Sequence, residues 1–342
     1  MERLETREQK TLKVKAYPVD ILSGIDYESL GRSGEHCLAA LQSGDASETQ
    51  RFILPDGEGE VNISASNVSF LSLFGEEHSR HRVLALSEQD RVLALYLCSG
   101  WWGVEEALKT SDPSRHGLVE VLSVGERLVL FILNQIVNGT QSPPDQDNPL
   151  FTPHPPTEQA TILWQEGEAA GFYTVKRKGS LCGGCTSLCY QLPVLDTVFV
   201  RRSWRRRGLC LEMLEGYCSS FSGEEVLGIS YPVSTAMYQV CRKYLLAHPE
   251  QRDRLYEVEP PGHWSQRQSV WLQIQLGKIP LADEQQAAAE RILLEESRAD
   301  TSVQEGLSKE SPDSVPAAAA CTSKLKRKGG ATLEEVSPKV KK

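Results

Sequence analysis

The sequence predicts a mixed α/β fold built around one sheet, followed by a tail that lacks a core. Between residues 160 and 276 the pattern reads hairpin, strand, helix, strand, helix, strand, strand. The chain is 40% hydrophobic, enough to bury a sizeable core. It has no apolar run near the roughly 18 residues of a membrane span and no signal-peptide core, so we expect a soluble intracellular protein.

The first half of the chain is less regular. Residues 1–60 predict no defined element. Arg91–Leu97 predicts a buried strand and Trp102–Thr110 a helix. The second half of the apolar stretch Leu118–Val137 favours a buried helix that closes at Asn138-Gly139, and a strand is the alternative. A proline-rich linker, residues 139–156, follows.

The second half has clearer strand and helix patterns. Each apolar segment is bounded by turn residues, which separates it from the next. The predicted elements are a hairpin of Ala160–Gln165 and Gly171–Lys178, strands Leu192–Val200, Glu225–Ser230, Leu255–Val258 and Ser269–Leu276, and helices Leu209–Phe221 and Ser234–Ala247.

The segment most informative about function joins the strand ending at Val200 to the helix beginning near Leu209. The turn between them contains Arg205, Arg206, Arg207 and Gly208. A strand that enters a helix through a glycine-containing turn presents unpaired backbone N–H groups at the positive end of the helix dipole. Neighbouring arginines add charge for a phosphate or pyrophosphate.

This segment resembles the pyrophosphate loop of the GCN5-related N-acetyltransferase superfamily, Arg/Gln-x-x-Gly-x-Gly/Ala. The match is Arg205-x-x-Gly208-x-Cys210, and Cys210 departs from the family's Gly or Ala. The resemblance implies an acetyltransferase-like (GNAT-like) domain that binds acetyl-CoA. The residues it implies for cofactor binding are Val200, Arg205, Arg206, Arg207, Gly208, Leu209 and Cys210.

The resemblance also suggests catalytic residues. Ala236-Met-Tyr238 resembles the family's second helix, which makes Tyr238 a candidate acid for the departing thiolate, although the family's usual Gly-Phe is missing. Asp196 is the candidate general base on the strand, with Tyr190 and Glu120 as alternatives. The structural alternatives are a packed Tyr238, an outward-facing Asp196 and a solvated arginine run.

The whole chain resembles the proteins called "family with sequence similarity 169", relatives of a soluble lamin-associated protein. The resemblance rests on Trp101-Trp-Gly-Val-Glu-Glu, the block VGERLVLFILNQIV, Gly171-Phe-Tyr-Thr-Val-Lys and the WRRRGLC turn. It implies an acetyltransferase-like domain and a nuclear association, and no established reaction. We assign residues 1–89 to an N-terminal extension, 90–280 to the acetyltransferase-like domain, 281–299 to an exposed helix and 300–342 to a disordered basic tail.

Other chemistries have little support in the sequence. Cys182-Gly-Gly-Cys185-x-x-x-Cys189 opens like a zinc site, but no fourth ligand follows at suitable spacing, so we predict no metal and an irregular hairpin loop. The chain lacks a nucleophile elbow, a P-loop and a zinc-protease motif. Its net charge of −9 argues against general nucleic-acid binding.

The tail suggests where the protein resides. Lys324-Leu-Lys-Arg-Lys328 and Lys339-Val-Lys-Lys342 resemble a bipartite nuclear import signal, and a solubilising tail is the alternative. We expect a nuclear and/or cytoplasmic protein whose partners are an amine or protein acceptor, an import receptor or the nuclear lamina. Two functions follow: a CoA-dependent N-acyltransferase, or a catalytically inactive interaction module of the same fold.

Overall fold

The computed structural model describes residues 15–43, 50–55, 57, 59–74, 80–89, 91–141, 153–182 and 187–277. The helices are α1 (Pro18–Ile21), α2 (Tyr27–Ser43), α3 (Val104–Ala107), α4 (Val124–Phe131), α5 (Asn138–Gln141), α6 (Leu209–Ser220), α7 (Thr235–Ala247) and α8 (Val270–Gln275). The strands are β1 (Arg51–Ile53), β2 (Glu60–Asn62), β3 (Val68–Ser72), β4 (Arg82–Glu88), β5 (Arg91–Leu97), β6 (Gly100–Gly103), β7 (Gly117–Glu120), β8 (Gln159–Gln165), β9 (Glu168–Lys176), β10 (Val194–Val200), β11 (Leu227–Ser230), β12 (Leu255–Val258) and β13 (Arg267–Ser269).

A seven-stranded mixed sheet carries the candidate site, which confirms the predicted α/β class. Its strand order is β13-β12-β11-β10-β9-β8-β7. The strands β10, β11 and β12 run parallel, whereas the other neighbours are antiparallel. The connections from β10 to β11 and from β11 to β12 pass through α6 and α7, and both helices pack in one apolar cluster over the sheet. The predicted hairpin, the strand before the turn and both helices are confirmed.

Arg91–Leu97 is a strand, but its place in the fold differs from the expectation. The predicted boundaries place it in the acetyltransferase-like domain at 90–280, but it lies in a four-stranded sheet of order β3-β4-β5-β6, apart from the seven-stranded sheet. The boundary drawn at residue 89 therefore falls inside the β4–β5 hairpin, where Glu88 is paired with Arg91. Gly117–Glu120 (β7) occupies the edge of the seven-stranded sheet.

The two sheets share a core, which local sequence patterns do not show. Val19, Val83 and Leu95 from the N-terminal part are buried together with Ile132 and Phe172. Helix α4 lies in the middle of this cluster, because its residues from Leu128 to Phe131 are all buried. Buried side chains from the described residues between 19 and 97 thus pack in the same core as side chains of the β7–β13 sheet.

The prediction of a helix over Trp102–Thr110 is largely wrong. Trp102 pairs with Leu95 in the β5–β6 hairpin, and only Val104–Ala107 is helical. Cys98 and Ser99 form the hairpin turn with φ values of 53° and 63°. Neither is a glycine or asparagine, so the sequence lacks the usual signal for a turn with two left-handed residues.

The strand predicted at Ser269–Leu276 is also wrong beyond its first residue. The alternation of apolar residues after Ser269 has a period of two, which favours a strand. In the structure β13 ends at Ser269, whose Oγ accepts from the Leu272 N–H at 3.3 Å and caps α8. A side-chain cap of this kind starts a helix where periodicity alone predicts a strand.

The buried helix expected after Leu118 is confirmed, and the alternative strand is excluded. Ser123 Oγ accepts from the Glu126 N–H at 3.2 Å, and the Glu126 carboxylate accepts from the Ser123 N–H at 2.9 Å. This capping box satisfies donors at the start of α4. The helical backbone does not close at Asn138-Gly139, because it passes through π-helical turns at Ile132–Val137 into α5.

Several predictions concern residues outside the described ranges. They are the helix at 281–299, the tail at 300–342 with its basic clusters, the middle of the proline-rich linker, and Cys185. The nuclear or cytoplasmic location stays a prediction. Each helix in the described part of the chain is too short or too polar to cross a bilayer.

Candidate functional site

The turn between β10 and α6 contains several backbone N–H groups that have no backbone acceptor among the described residues. Arg206 and Gly208 are left-handed, with φ values of 65° and 84°, and Gly208 precedes the first residue of α6. The Gly208 carbonyl accepts from Leu211 and Glu212. Among the described residues, no backbone acceptor pairs with the N–H groups of Arg206, Arg207 or Gly208. Left-handed residues in a turn orient successive N–H groups inward, which is the geometry of an anion-binding nest.

Three arginines surround this group of donors in different ways. Arg205 Nε donates to the Val200 carbonyl at 3.0 Å and thereby ties the turn to the end of β10. The Arg207 guanidinium lies 4.6 Å from the centre of the Trp204 ring. Arg206 is exposed. The three charges and the α6 dipole make this turn strongly attractive to an anion.

The first residues of α6 contribute through their backbone. Leu209 is buried in the α6–α7 cluster. Cys210 Sγ lies 3.8 Å from Met237 Sδ on α7, and burial raises the pKa of this thiol to about 11. Cys210, where the resembled loop pattern has Gly or Ala, therefore points to α7 as a neutral thiol. Its first-turn N–H is one of those that have no intrahelical acceptor.

Strand β10 has a free edge that leads directly to this turn. It pairs with β11 only through Val194 and Leu195, opposite Gly228 and Ile229. Among the described strands, none continues the pairing beside the rest of β10, because β11 ends at Ser230. We call residues 196–200 the free edge of β10. Unpaired backbone groups on such an edge can bind an extended ligand in the manner of an added strand.

Asp196 lies where the pairing of β10 and β11 ends. Its Oδ1 accepts from Ser230 Oγ at 2.7 Å, and its Oδ2 is 3.6 Å from Lys176 Nζ. Its side chain is 24% exposed, so it is neither in the apolar core nor turned fully to solvent. The free edge begins at this carboxylate and ends at the arginine turn.

A buried charged network supports Asp196. Lys176 Nζ donates to Glu158 Oε2 at 2.6 Å, and His154 Nδ1 lies 3.3 Å from Glu158 Oε1. Burial opposes the charge on Glu158, but His154 and Lys176 outweigh it and lower the pKa of this carboxyl to about 2. Burial also opposes the charge on Lys176, but Asp196 and Glu158 raise its pKa. No motif in the sequence marks Lys176, Glu158, His154 or Ser230 as site residues, because they come from separate segments that meet only in the folded chain.

The two alternative bases occupy different places. Tyr190 is buried and interacts electrostatically with Asp196. Burial and the charge of Asp196 raise the pKa of Tyr190 to about 12. Glu120 lies on the edge strand β7, where it accepts from Gln159 at 3.3 Å. Two strands, β8 and β9, lie between β7 and β10, so the structure does not bring Glu120 to the free edge.

Tyr238 is a buried tyrosine whose proton already has an acceptor. Its hydroxyl donates to Glu257 Oε2 on β12 at 2.5 Å, and Glu257 Oε1 accepts from the Val233 N–H at 2.8 Å. Burial and the Glu257 carboxylate raise the pKa of Tyr238. A departing thiolate would have to compete with this carboxylate for the proton.

This geometry leads to a stability prediction for Tyr238. Replacing it with phenylalanine is expected to lower the free energy of unfolding by about 2 kcal/mol, because Glu257 stays buried after losing a donor. Urea unfolding checks this value, and Tyr231→Phe is the control because Tyr231 is 54% exposed. Equal stability of the two variants would contradict a structural role for the Tyr238 hydroxyl.

The two described ends of the cysteine segment pair with each other, and residues 183–186 between them lie outside the described ranges. Leu181 and Cys189 form an isolated antiparallel bridge, and the Cys182 N–H donates to the Leu188 carbonyl at 2.9 Å. The described residues contain no group of three or more His, Cys, Asp or Glu side chains that could hold a metal.

Comparisons with known proteins identify relatives. Protein FAM169B of Mus musculus is 47% identical over 274 residues, which are 79% of this chain and 80% of the mouse protein. Protein FAM169BP of Homo sapiens is 51% identical over 132 residues, 38% of this chain and 65% of that protein. No family model matches the chain. No solved structure matches it either. The identity and coverage of the mouse relative show that the chain belongs to the FAM169 family.

Proposed function

We propose that this protein binds acetyl-CoA and transfers its acetyl group to an amine, through a GNAT-like domain formed by the seven-stranded sheet with α4, α6 and α7. The observation that carries the proposal is the continuity of the free edge of β10 with the arginine turn. An extended arm and a pyrophosphate belong to the same ligand, and here a strand edge and an anion-binding nest belong to the same strand–turn–helix unit.

The residues present fit this ligand. The N–H groups of Arg206, Arg207 and Gly208, and those of Leu209 and Cys210 in the first turn of α6, would hold the pyrophosphate. Arg205 would keep the turn against Val200 while adding charge. The free edge would pair with the amide groups of the pantetheine arm. When bound, acetyl-CoA supplies an activated thioester.

Asp196 is the base in this proposal. It stands at the inner end of the free edge, where a ligand anchored at the turn would terminate. From there its carboxylate can take a proton from an incoming ammonium, directly or through a water molecule. Holding the amine beside the thioester would supply most of the rate enhancement.

A second function, an interaction module of the same fold without catalysis, is favoured by one observation. The Tyr238 proton is held by Glu257, which leaves the acid suggested by the family resemblance engaged elsewhere. In that case the site binds CoA derivatives, or another extended anion, without turnover.

Ligand binding tests the proposal. With acetyl-CoA at a hundredfold of its Kd, the full chain is expected to gain about 2.7 kcal/mol in free energy of unfolding. Arg206→Gly is expected to reduce this gain, because it removes a cation from the nest. It should not weaken the fold, since residue 206 has a φ of 65°, which glycine adopts without strain. Gly208→Glu is expected to abolish the gain by placing a carboxylate in the nest.

The matched control changes the same kind of charge elsewhere. Arg242→Glu replaces an exposed arginine on α7 and is expected to retain the full gain with acetyl-CoA. No gain for the folded wild-type protein would overturn acetyl-CoA binding. A gain that survives in Gly208→Glu would place the ligand elsewhere.

A further inference from the structure

The end of the β10–β11 pairing contains a hydroxyl as well as a carboxylate. Leu195 and Ile229 are the last paired residues, and Asp196 and Ser230 directly follow them on the two strands. These two residues do not continue the backbone pairing of β10 and β11. Their side chains are joined instead, because Ser230 Oγ donates to Asp196 Oδ1 at 2.7 Å. Both are partly exposed, so both are accessible to a ligand on the free edge.

The charged network restrains this pair. Lys176 Nζ contacts Asp196 Oδ2, which directs the other oxygen, Oδ1, to Ser230. Lys176 is itself bound to Glu158, whose side chain is only 2% exposed. An ammonium held between two carboxylates keeps the Asp196 side chain in one orientation. The serine hydroxyl on β11 is therefore held in position by Asp196 on β10, Lys176 on β9 and Glu158 in the segment before β8.

We propose that Ser230 is a further catalytic residue, which donates its hydroxyl proton to the sulfur of the departing CoA and recovers a proton from Asp196. This proposal rests on the proposed acetyl transfer from an acetyl thioester to a primary amine. The Ser230 hydroxyl also donates to a carboxylate, that of Asp196, but Asp196 is partly exposed and becomes a donor itself once it has taken the amine proton, which frees the serine proton for the sulfur. Glu257, which holds the Tyr238 proton, is buried and is not given such a proton source.

The ammonium first releases one proton through Asp196 to solvent water, so the nucleophile is the neutral amine, and the remaining proton balance closes within the pair. As the N–C bond forms and the C–S bond breaks, Asp196 accepts a proton from the amine nitrogen. Ser230 gives its proton to the sulfur, and Asp196 returns one to the Ser230 oxygen. The net result is an amide and a free thiol, with Asp196 and Ser230 restored to their starting states.

A binding experiment tests the proposal without relying on turnover. Titration calorimetry at about pH 9, where a thiol is partly ionised, compares CoA with desulfo-CoA, which lacks the sulfur. In the wild-type chain the sulfur is expected to improve the affinity about tenfold, as one hydrogen bond to a charged group does. Ser230→Ala should lose this preference without changing the affinity for desulfo-CoA, and Ser230→Thr should keep it.

The second measurement is CoA release from acetyl-CoA in the presence of a set of primary amines. Ser230→Ala is expected to lower the rate by at least tenfold, and Ser230→Thr to restore much of it. Asp196→Asn, which can still hydrogen-bond to the serine, is expected to be as slow as Ser230→Ala. Ser222→Ala, at an exposed position after α6, is the control and should match the wild type.

The outcomes separate the two proposals. An unchanged preference for CoA over desulfo-CoA in Ser230→Ala, together with unchanged CoA release, would overturn the role of Ser230 and leave acetyl transfer standing. Binding of acetyl-CoA without CoA release by the wild type would overturn catalysis altogether, and with it the donor role. No binding of either CoA compound would overturn the proposed function itself.

Discussion

Replacing Lys176 with methionine is expected to lower the free energy of unfolding by about 3 to 5 kcal/mol, because it leaves a buried carboxylate without its cation. The Glu158 side chain is 2% exposed, and Lys176 Nζ is its closest charged partner at 2.6 Å. Asp196 would lose the same ammonium. Urea unfolding of the full chain measures the effect.

A double variant distinguishes the charge effect from lost packing. Glu158→Gln combined with Lys176→Met removes both charges, so it is expected to be more stable than Lys176→Met alone. The surface pair of Lys178 and Glu224 is a control, since both side chains are more than a third exposed. Lys178→Met is expected to cost less than about 1 kcal/mol. A Lys176→Met cost as small as that of Lys178→Met would contradict the buried network.

Acid is expected to remove about 3 kcal/mol of stability through Glu158 alone. The ordinary pKa of a glutamate in an unfolded chain is 4.5, and in the folded protein His154 and Lys176 lower the pKa of Glu158 to about 2. A carboxyl whose pKa is lower in the folded state stabilises the fold fully above its unfolded pKa. That contribution is lost as the pH falls from about 4.5 to about 2.

The Glu158→Gln variant isolates this contribution. Other carboxyls with lowered pKa values, among them Asp20 and Glu126, also lose their stabilising effect when acid protonates them. They do so equally in the wild type and in Glu158→Gln. The difference in unfolding free energy between the wild type and Glu158→Gln is therefore expected to shrink through this pH window and to be constant above it. A difference that does not change between neutral pH and pH of about 2 would contradict a charged, paired Glu158.

These two predictions concern the support of the candidate site rather than its ligand. If the network is as strong as expected, Asp196 and Ser230 are held in place before any ligand arrives, and little free energy is lost in ordering them. A preorganised Asp196–Ser230 pair is useful to an enzyme, whereas an interaction module would need only the nest and the free edge.

Local patterns were sufficient for the strand–turn–helix unit. The apolar run ending at Val200, the arginines and Gly208, and the apolar helix after them are adjacent in sequence, so their contacts are mostly local. The nest and the start of α6 could therefore be predicted. The Ser269 cap and the turn at Cys98 and Ser99 could not be read from periodicity, because each depends on one side-chain contact or on backbone torsion angles.

The α/β class, the arginine turn and the position of Asp196 on a strand all follow from local sequence patterns. Three features became visible only in the folded chain: β5 joins a separate sheet, Tyr238 is hydrogen-bonded to Glu257, and Asp196 contacts Ser230, 34 residues away. The physical reason is that strand order and side-chain pairing depend on contacts between distant segments. A periodic pattern specifies which face of a strand is buried, but it does not specify which strand lies beside it.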